Sequence, residues 1–274
     1  MTQARVLDQI VAGCVAVLVF FVLFCWIGPF VYHGSLASNI GQADSPPVVG
    51  HPLGTDNNGF DVLGQLMKGG QASLEIGFLA ALIAIVVGAL VGAVAGLVGG
   101  IVDAILMRLV DVFLSIPLLF VVLIVAVRYG ATVLSLSLII GGYTWLVPAR
   151  LVRGEVLTLR VRDFVAAART AGSSQWRLIR QHLIPNALGV IIVNVTFNVA
   201  DAILLVAALG FLGFGLHFPT VDWGDMLSNG ITYLQNGNWW LIYPAGICIV
   251  VVVMACNLIG DALRDSLDVR LRRR

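Results

Sequence analysis

The stretch Ile76-Gly-Phe-Leu-Ala-Ala-Leu-Ile-Ala-Ile-Val-Val-Gly-Ala-Leu-Val-Gly-Ala-Val-Ala-Gly-Leu-Val-Gly-Gly-Ile-Val102 decides the fold. It runs without one charged side chain. A helix crossing a bilayer needs about 20 mostly apolar residues, so these residues predict a membrane span. Small residues let helices approach closely in lipid, so the many glycines and alanines predict that this span is buried among neighbours. The whole chain agrees with that reading. Of its 274 residues 59% are hydrophobic and 11% charged, where soluble domains carry about 25% charged residues. The fold class is therefore all-α, a polytopic membrane protein.

Outward from that run, five more apolar segments are legible. The first span covers Ile10 to Val31, and its apolar run is too long for a cleavable signal. A polar segment from His33 to Gly70 follows, rich in Gly, Pro, Asp and Asn. The third span covers Asp111 to Val127, the fourth Ala131 to Pro148 and the fifth Leu188 to Leu209. A polar loop from Leu216 to Asn238 leads to Trp239 and Trp240, which suit an interfacial aromatic belt, and the sixth span ends near Leu258. Basic residues orient the chain, because cytoplasmic loops carry the excess of Lys and Arg. With the N-terminus inside, that side holds Arg5, Arg108, seven arginines from Arg150 to Arg180 and five in the tail; the other holds only Lys68 and Arg128. Six spans with both termini cytoplasmic follow. No internal repeat is visible, unlike the duplicated halves of many secondary carriers.

One segment breaks the oily pattern: Asp163-Phe-Val-Ala-Ala-Ala-Arg-Thr-Ala-Gly-Ser-Ser-Gln-Trp-Arg-Leu-Ile-Arg-Gln-His-Leu-Ile-Pro-Asn186. It predicts helix, break, helix. Ala166, Ala167 and Ala168 favour a helix, and Gly172 suits the left-handed residue that ends one. Ser173 or Ser174 can cap the second helix, and Pro185 is expected to stop it. Three readings compete for this handle. A helix-turn-helix with a basic second helix suggests DNA, but both ends are tied to the bilayer. A positive loop could rest on anionic lipid. The third reading is a docking element for a cytoplasmic motor.

Other chemistry is sparse. The Gly-x-x-x-x-Gly-Lys-Ser/Thr phosphate loop needs a lysine, and the single Lys68 is followed by Gly69 and Gly70. The chain is therefore not expected to hydrolyse ATP by that mechanism. His33, His51, His182 and His217 are scattered without metal spacing or a nucleophile partner, so no catalytic or metal site is expected. Cys14, Cys25, Cys248 and Cys256 lie in apolar stretches and read as small apolar residues. Asn194, Asn198 and Asp201 fall on one face of the fifth span. Polar groups at that depth are costly. They line a translocation pathway, or they hydrogen-bond between helices; both readings stay open. Asp103, Arg108 and Asp111 meet at the junction of spans two and three, where Arg108 can reach Asp111. They are a surface charge cluster or a brace for the handle.

The third reading of the handle gains from a resemblance. Ala167-Ala168-x-x-x-Gly172, with Ile184-Pro185 beyond it, resembles the EAA loop of ABC importer permeases. His51-x-Leu-Gly-Thr-Asp56-x-x-Gly-x-Asp61 and Gly99-Gly-x-x-Asp103-x-x-x-Met-Arg108-x-x-Asp111 are similar to segments of the peptide/nickel branch. So are Ala149-Arg-x-x-Arg153-x-Glu155, Leu209-Gly-Phe-Leu-Gly213, Trp223-Gly-x-Met-Leu227 and Asn257-Leu-x-Gly-Asp261-x-Leu-Arg-Asp265-x-Leu-Asp268. His182-x-x-Pro-Asn186 points to the same branch, and the likeness is nearest to the C-type permease of dipeptide and oligopeptide importers. Three positions depart from the pattern: Ala166 stands for Glu, Phe60 for Arg and Val269 for Pro.

The resemblance implies a type I ABC importer permease fold. It divides the chain into residues 1–71 (first helix and external segment), 72–262 (permease core with a cytoplasmic coupling helix at about 163–185) and 263–274 (cytoplasmic tail). It implies a non-catalytic subunit in a bacterial inner membrane. The expected partners are a homologous second permease, two cytoplasmic ATPases that bind ATP and Mg, an external substrate-binding protein and the lipid bilayer, with no nucleic acid. This chain itself is expected to bind no cofactor. Ala166, Ala167, Ala168, Arg169, Gly172 and Arg177 would contact the ATPase. The cargo would be dipeptides or oligopeptides; nickel or another small solute is the alternative, and a stand-alone channel or secondary carrier is the alternative from a different class.

Overall fold

A computed structural model describes residues 2–32, 39–216 and 219–272, without side-chain detail for 2–8 and 267–272. His33, His217, Arg273 and Arg274 lie outside the described residues, as do the side chains of Arg5, Asp268 and Val269. The described residues are mostly helical, with no strand among them. In chain order the helices are α1 (Thr2–Trp26), α2 (Gly28–Val31), α3 (Val62–Val98), α4 (Gly100–Leu114), α5 (Leu118–Tyr129), α6 (Val133–Thr144), α7 (Leu146–Leu159), α8 (Asp163–Thr170), α9 (Gln175–Leu178), α10 (Ile184–Phe211), α11 (Trp223–Ile231) and α12 (Tyr243–Arg272). A π-helical turn, Ile179–Leu183, joins α9 to α10. Among the described residues four segments are long and apolar enough to cross a membrane: Gln9–Trp26, Val62–Val98, Gln175–Phe211 and Trp239–Ser266. Two bent pairs, α4 with α5 and α6 with α7, bring the total to six when each pair is one crossing.

The helix that holds the uncharged run is α3. It starts at Val62, fourteen residues before the run, because Asp61 caps it: the Asp61 carboxylate accepts from the Gly64 N–H at 2.7 Å. At 37 residues it is about 55 Å long, well beyond the roughly 30 Å of bilayer hydrocarbon. It packs against α1, α6, α7 and α10, so it is the post around which the bundle is arranged. The small residues do what the sequence predicts. Along the seam with α7, a Cβ on Gly92 would lie 2.4 Å from the Ala149 carbonyl oxygen and 2.9 Å from the Arg153 nitrogen. Gly88 and Gly96 meet Pro148 and Val156 as closely.

Three expected spans differ in detail. The third breaks at Ser115-Ile116-Pro117, where the axis turns by 79°. Pro117 has no N–H to donate and disfavours helix at the residue before it. The Tyr143 hydroxyl donates to the freed carbonyls of Phe113 and Ile116. The fourth does not end at Pro148: after a 40° bend at Trp145 it continues to Leu159, with Pro148 in the first turn of α7, where a missing N–H costs little. The fifth lies inside one continuous helical run from Gln175 to Phe211.

The two ends of the bundle differ. At one end, residues 39–61 form a cap of turns. Asp61 is fully buried there and accepts from the Tyr32 hydroxyl at 2.9 Å, while His51 Nδ1 sits 2.7 Å from the same carboxylate. Trp240 is buried beneath this cap and donates to the Thr55 carbonyl at 3.2 Å. Only Trp239 is exposed as an aromatic-belt residue would be. The loop expected between Leu216 and Asn238 contains α11. Asp222 caps it, accepting from the N–H groups of Gly224, Asp225 and Leu216. Burial pushes the Asp222 carboxyl up, opposed by those three donors. Trp223 is fully buried, with its indole N–H on the Leu66 carbonyl at 3.0 Å. The opposite end carries the seven arginines from Arg150 to Arg180 and is called the basic end below.

Candidate functional site

The handle forms a helical corner on the basic end. α8 ends in a Schellman arrangement: the Ser173 N–H bonds the Ala168 carbonyl and the Gly172 N–H bonds that of Arg169, both at 3.0 Å. Gly172 takes φ +80, the left-handed conformation expected of it, and nothing in the chain crowds it. Of the two candidate caps, Ser174 serves: its hydroxyl accepts from the Arg177 N–H at 3.3 Å.

The corner has a fixed face and a free one. Val165, Leu178, Ile179 and Leu183 are buried in a core shared with Ala93 and Leu97 of α3 and with Val152 and Val156 of α7. On the other face Ala166, Ala167, Arg169, Gly172, Trp176 and Arg177 are exposed, and Ala168 is half-buried at the boundary. Arg169 and Arg177 have no side-chain partner among the described residues. The anchoring is what an apolar residue every three or four positions provides; the free face is small and basic.

Charges brace this end. Arg153 of α7 grips Asp103 of α4 through two nitrogens, with the Nη2 contact at 2.6 Å. Arg150 pairs with Asp111, and the Arg160 guanidinium donates to the Gly96 carbonyl at 2.9 Å. Arg108 does not take Asp111, as its i, i+3 spacing allows. An exposed pair along one helix is worth little, and the arginines of α7 reach across from the neighbouring helix. The acidic pair therefore ties α4 to the helix that leads into the corner.

Pro185 does not end the second helix. The π-helical turn just before it lets the chain run on, with the Ile184 N–H bonding the Ile179 carbonyl five residues back. That wider register gives room for a ring that would clash with the carbonyl four residues earlier. The Asn186 amide donates to the His182 carbonyl at 2.6 Å. The corner is thus continuous with α10.

Beside the corner, a cavity of about 800 Å³ lies among α4, α5, α6, α7, α10 and α12. Asn194, Asn198 and Asp201 all line it, as their spacing on one helical face allows. The two amides do not bond to other helices. Asn194 Nδ2 donates to the Val190 carbonyl and Asn198 Nδ2 to that of Asn194, each at 2.8 Å along α10. Asp201 is exposed to the cavity and has no polar partner among the described residues. Tyr143, Thr144 and Arg264 complete its polar lining. In the sequence Arg264 stands in the tail motif that ends at Asp268, with no role at a site given to it. Gly260 one turn earlier carried the available signal: a Cβ there would lie 2.5 Å from Thr196 Oγ1, so α12 presses close to α10 and brings Arg264 to the cavity.

This is a multi-pass helical membrane protein with a polar-lined cavity and an exposed basic corner attached to one of its walls. Residues 84–273, more than half of the chain, match the family described as "Binding-protein-dependent transport system inner membrane component", and the chain belongs to that family. Three relatives illustrate the likeness. The dipeptide transport system permease protein DppC of Bacillus subtilis is 36% identical over 258 residues, 94% of this chain and 81% of that one. The oligopeptide transport system permease protein OppC of Salmonella typhimurium is 40% identical over 255 residues, 92% and 84% of the two chains. OppC of Escherichia coli K12 is 42% identical over 219 residues, 80% and 72%.

Proposed function

We propose that this chain is the C-type permease subunit of an ATP-driven importer of dipeptides or oligopeptides. The carrying observation is identity of 36–42% to peptide-transport permeases over most of both chains. The basic end faces the cytoplasm by the positive-inside rule, which reads fourteen of the sixteen Lys and Arg in the sequence as cytoplasmic. The residue cap at 39–61 then faces outward, toward a substrate-binding protein. A homologous second permease completes the pathway, and two ATPases bind ATP and Mg beneath the corner. This chain contributes no catalytic residue.

The mechanism follows from the continuity of the elements. Ala166, Ala167, Ala168 and Gly172 offer a surface on which an ATPase backbone can rest closely. Arg169 and Arg177 supply two unsatisfied charges for acidic groups on that partner. When the ATPases close on ATP, the corner moves as a rigid body. α10 moves with it through the π-helical turn, and α7 moves through its buried contacts with Val165 and Leu178. Asn194, Asn198 and Asp201 ride on α10, so the lined cavity changes its opening.

Replacement of Gly172 tests this. In the reconstituted importer, Gly172→Leu is expected to keep ATP hydrolysis within about twofold while peptide uptake falls at least tenfold, roughly 1.4 kcal/mol of lost coupling. Normal peptide uptake in that variant overturns the docking surface. No peptide uptake by the parent complex overturns the peptide reading.

A further inference from the structure

The cavity has opposite charges at two levels. Asp201 and Arg264 both line it, yet neither is paired with the other or with any described residue. An unpaired carboxylate within a membrane span is expensive and marks a functional position. The helices that carry them run antiparallel: Gly260 meets Thr196 and Phe197, while Cys248, Ile249 and Val252, earlier on α12, share a core with Ala200 and Ile203, later on α10. Arg264 therefore lies on the basic-end side of Asn194 and Asp201 on the cap side. At the helical rise of 1.5 Å per residue the two are about 13 Å apart along the axis. Between them Asn194 and Asn198 each donate one Nδ2 N–H to their own helix, and each Oδ1 is an acceptor with no donor among the described residues.

Resting on the peptide reading above, we propose that this cavity is a polarised subsite for a linear zwitterionic peptide. Asp201 takes the ammonium group and Arg264 the carboxylate. The Asn194 and Asn198 amide oxygens accept from main-chain N–H groups, which every peptide has whatever its sequence. An extended chain rises at most about 3.3–3.6 Å per residue, so the interval suits a peptide of about four residues. Apart from Tyr143 and Thr144, the rest of the lining, including Val147, Val190 and Phe197, is apolar and makes little demand on side-chain polarity. Such a site recognises two free termini at a set separation and little else.

The test uses the assembled permease–ATPase complex without its binding protein. Equilibrium dialysis compares tetra-alanine, N-acetyl-tetra-alanine and tetra-alanine amide. The parent complex is expected to prefer the free peptide at least tenfold over either blocked form. Asp201→Asn is expected to erase the preference over the N-acetyl form alone, and Arg264→Gln that over the amide alone. Asp201→Glu keeps the charge and is expected to keep the preference. An equal response to all three probes in the parent overturns the subsite. So does an equal loss for all three in the variants, the pattern of a charge that pairs with the second permease. Uptake of di-, tri-, tetra- and penta-alanine by the complete importer is measured alongside: uptake without a binding preference overturns the subsite alone, and no uptake of any of them overturns the peptide reading with it.

Discussion

Substitution of Gly92 by alanine probes the seam on which the bundle depends. The added Cβ would lie 2.4 Å from the Ala149 carbonyl oxygen and 2.9 Å from the Arg153 nitrogen. Both are backbone atoms, so no rotamer change can relieve the contact. α3 and α7 must part by about 1 Å to reach ordinary van der Waals distance, an overpacking that typically costs about 1–3 kcal/mol. Parting them also strains the Arg160 bond to the Gly96 carbonyl, one turn along the same seam. Alanine gains about 1 kcal/mol of helix propensity over glycine, which masks part of the cost. Gly154→Ala supplies the reference: it lies on α7 with open space around it and takes the propensity gain alone. Unfolding of the purified chain by SDS in mixed micelles, followed by tryptophan fluorescence, should place Gly92→Ala about 1–3 kcal/mol below Gly154→Ala. Coincident unfolding curves would refute the close seam.

Other expectations follow from the ends of the bundle. Asp103→Asn leaves the Arg153 guanidinium without its two-point partner, and a hydrogen bond to a charged group contributes about 1.5–3 kcal/mol. In the same unfolding assay Arg153→Gln should add little to Asp103→Asn, and full additivity of the two would sink the brace. At the cap, burial and then the neighbouring Asp61 push the Tyr32 phenol from 10.0 up to about 12. The folded state therefore favours the neutral phenol, so its contribution is complete below pH 10 and is lost as pH rises through about 12. Tyr32→Phe should flatten this part of the stability profile, and an alkaline absorbance titration that places Tyr32 near pH 10 would contradict it.

Much of this architecture is legible in the residues, and the failures share a cause. Apolar runs report how much chain is in the bilayer, and six crossings can be counted from them. The cap of the corner is legible because Gly172 and Ser174 act locally, through their own backbone and side chain. Pro117 and Pro185 show the limit. Both are prolines near a helix, yet one sits in a 79° break between two helices and the other within an unbroken helical run. The difference lies in neighbours: Tyr143 is free to satisfy the carbonyls before Pro117, whereas a widened turn absorbs Pro185. Partner choice across helices is equally hidden, since nothing within α4 says that Asp111 will take Arg150 of α7 instead of Arg108. Asn194, Asn198 and Asp201 were found because helical periodicity puts them on one face. Arg264 was missed because it reaches the cavity from a different helix, through a glycine contact that only the folded chain reveals.

The unbroken run from Gln175 to Phe211 has a mechanical consequence. Its 37 residues make a rod about 55 Å long, with the handle fused to one end and the wall of the cavity partway along. Pivoted near the handle, a tilt of about 5° sweeps the far end through roughly 5 Å, the height of one helical turn. A hinge at Pro185 would absorb so small a tilt; the widened turn transmits it. A modest movement at the membrane surface is thereby geared up to the size of a gate.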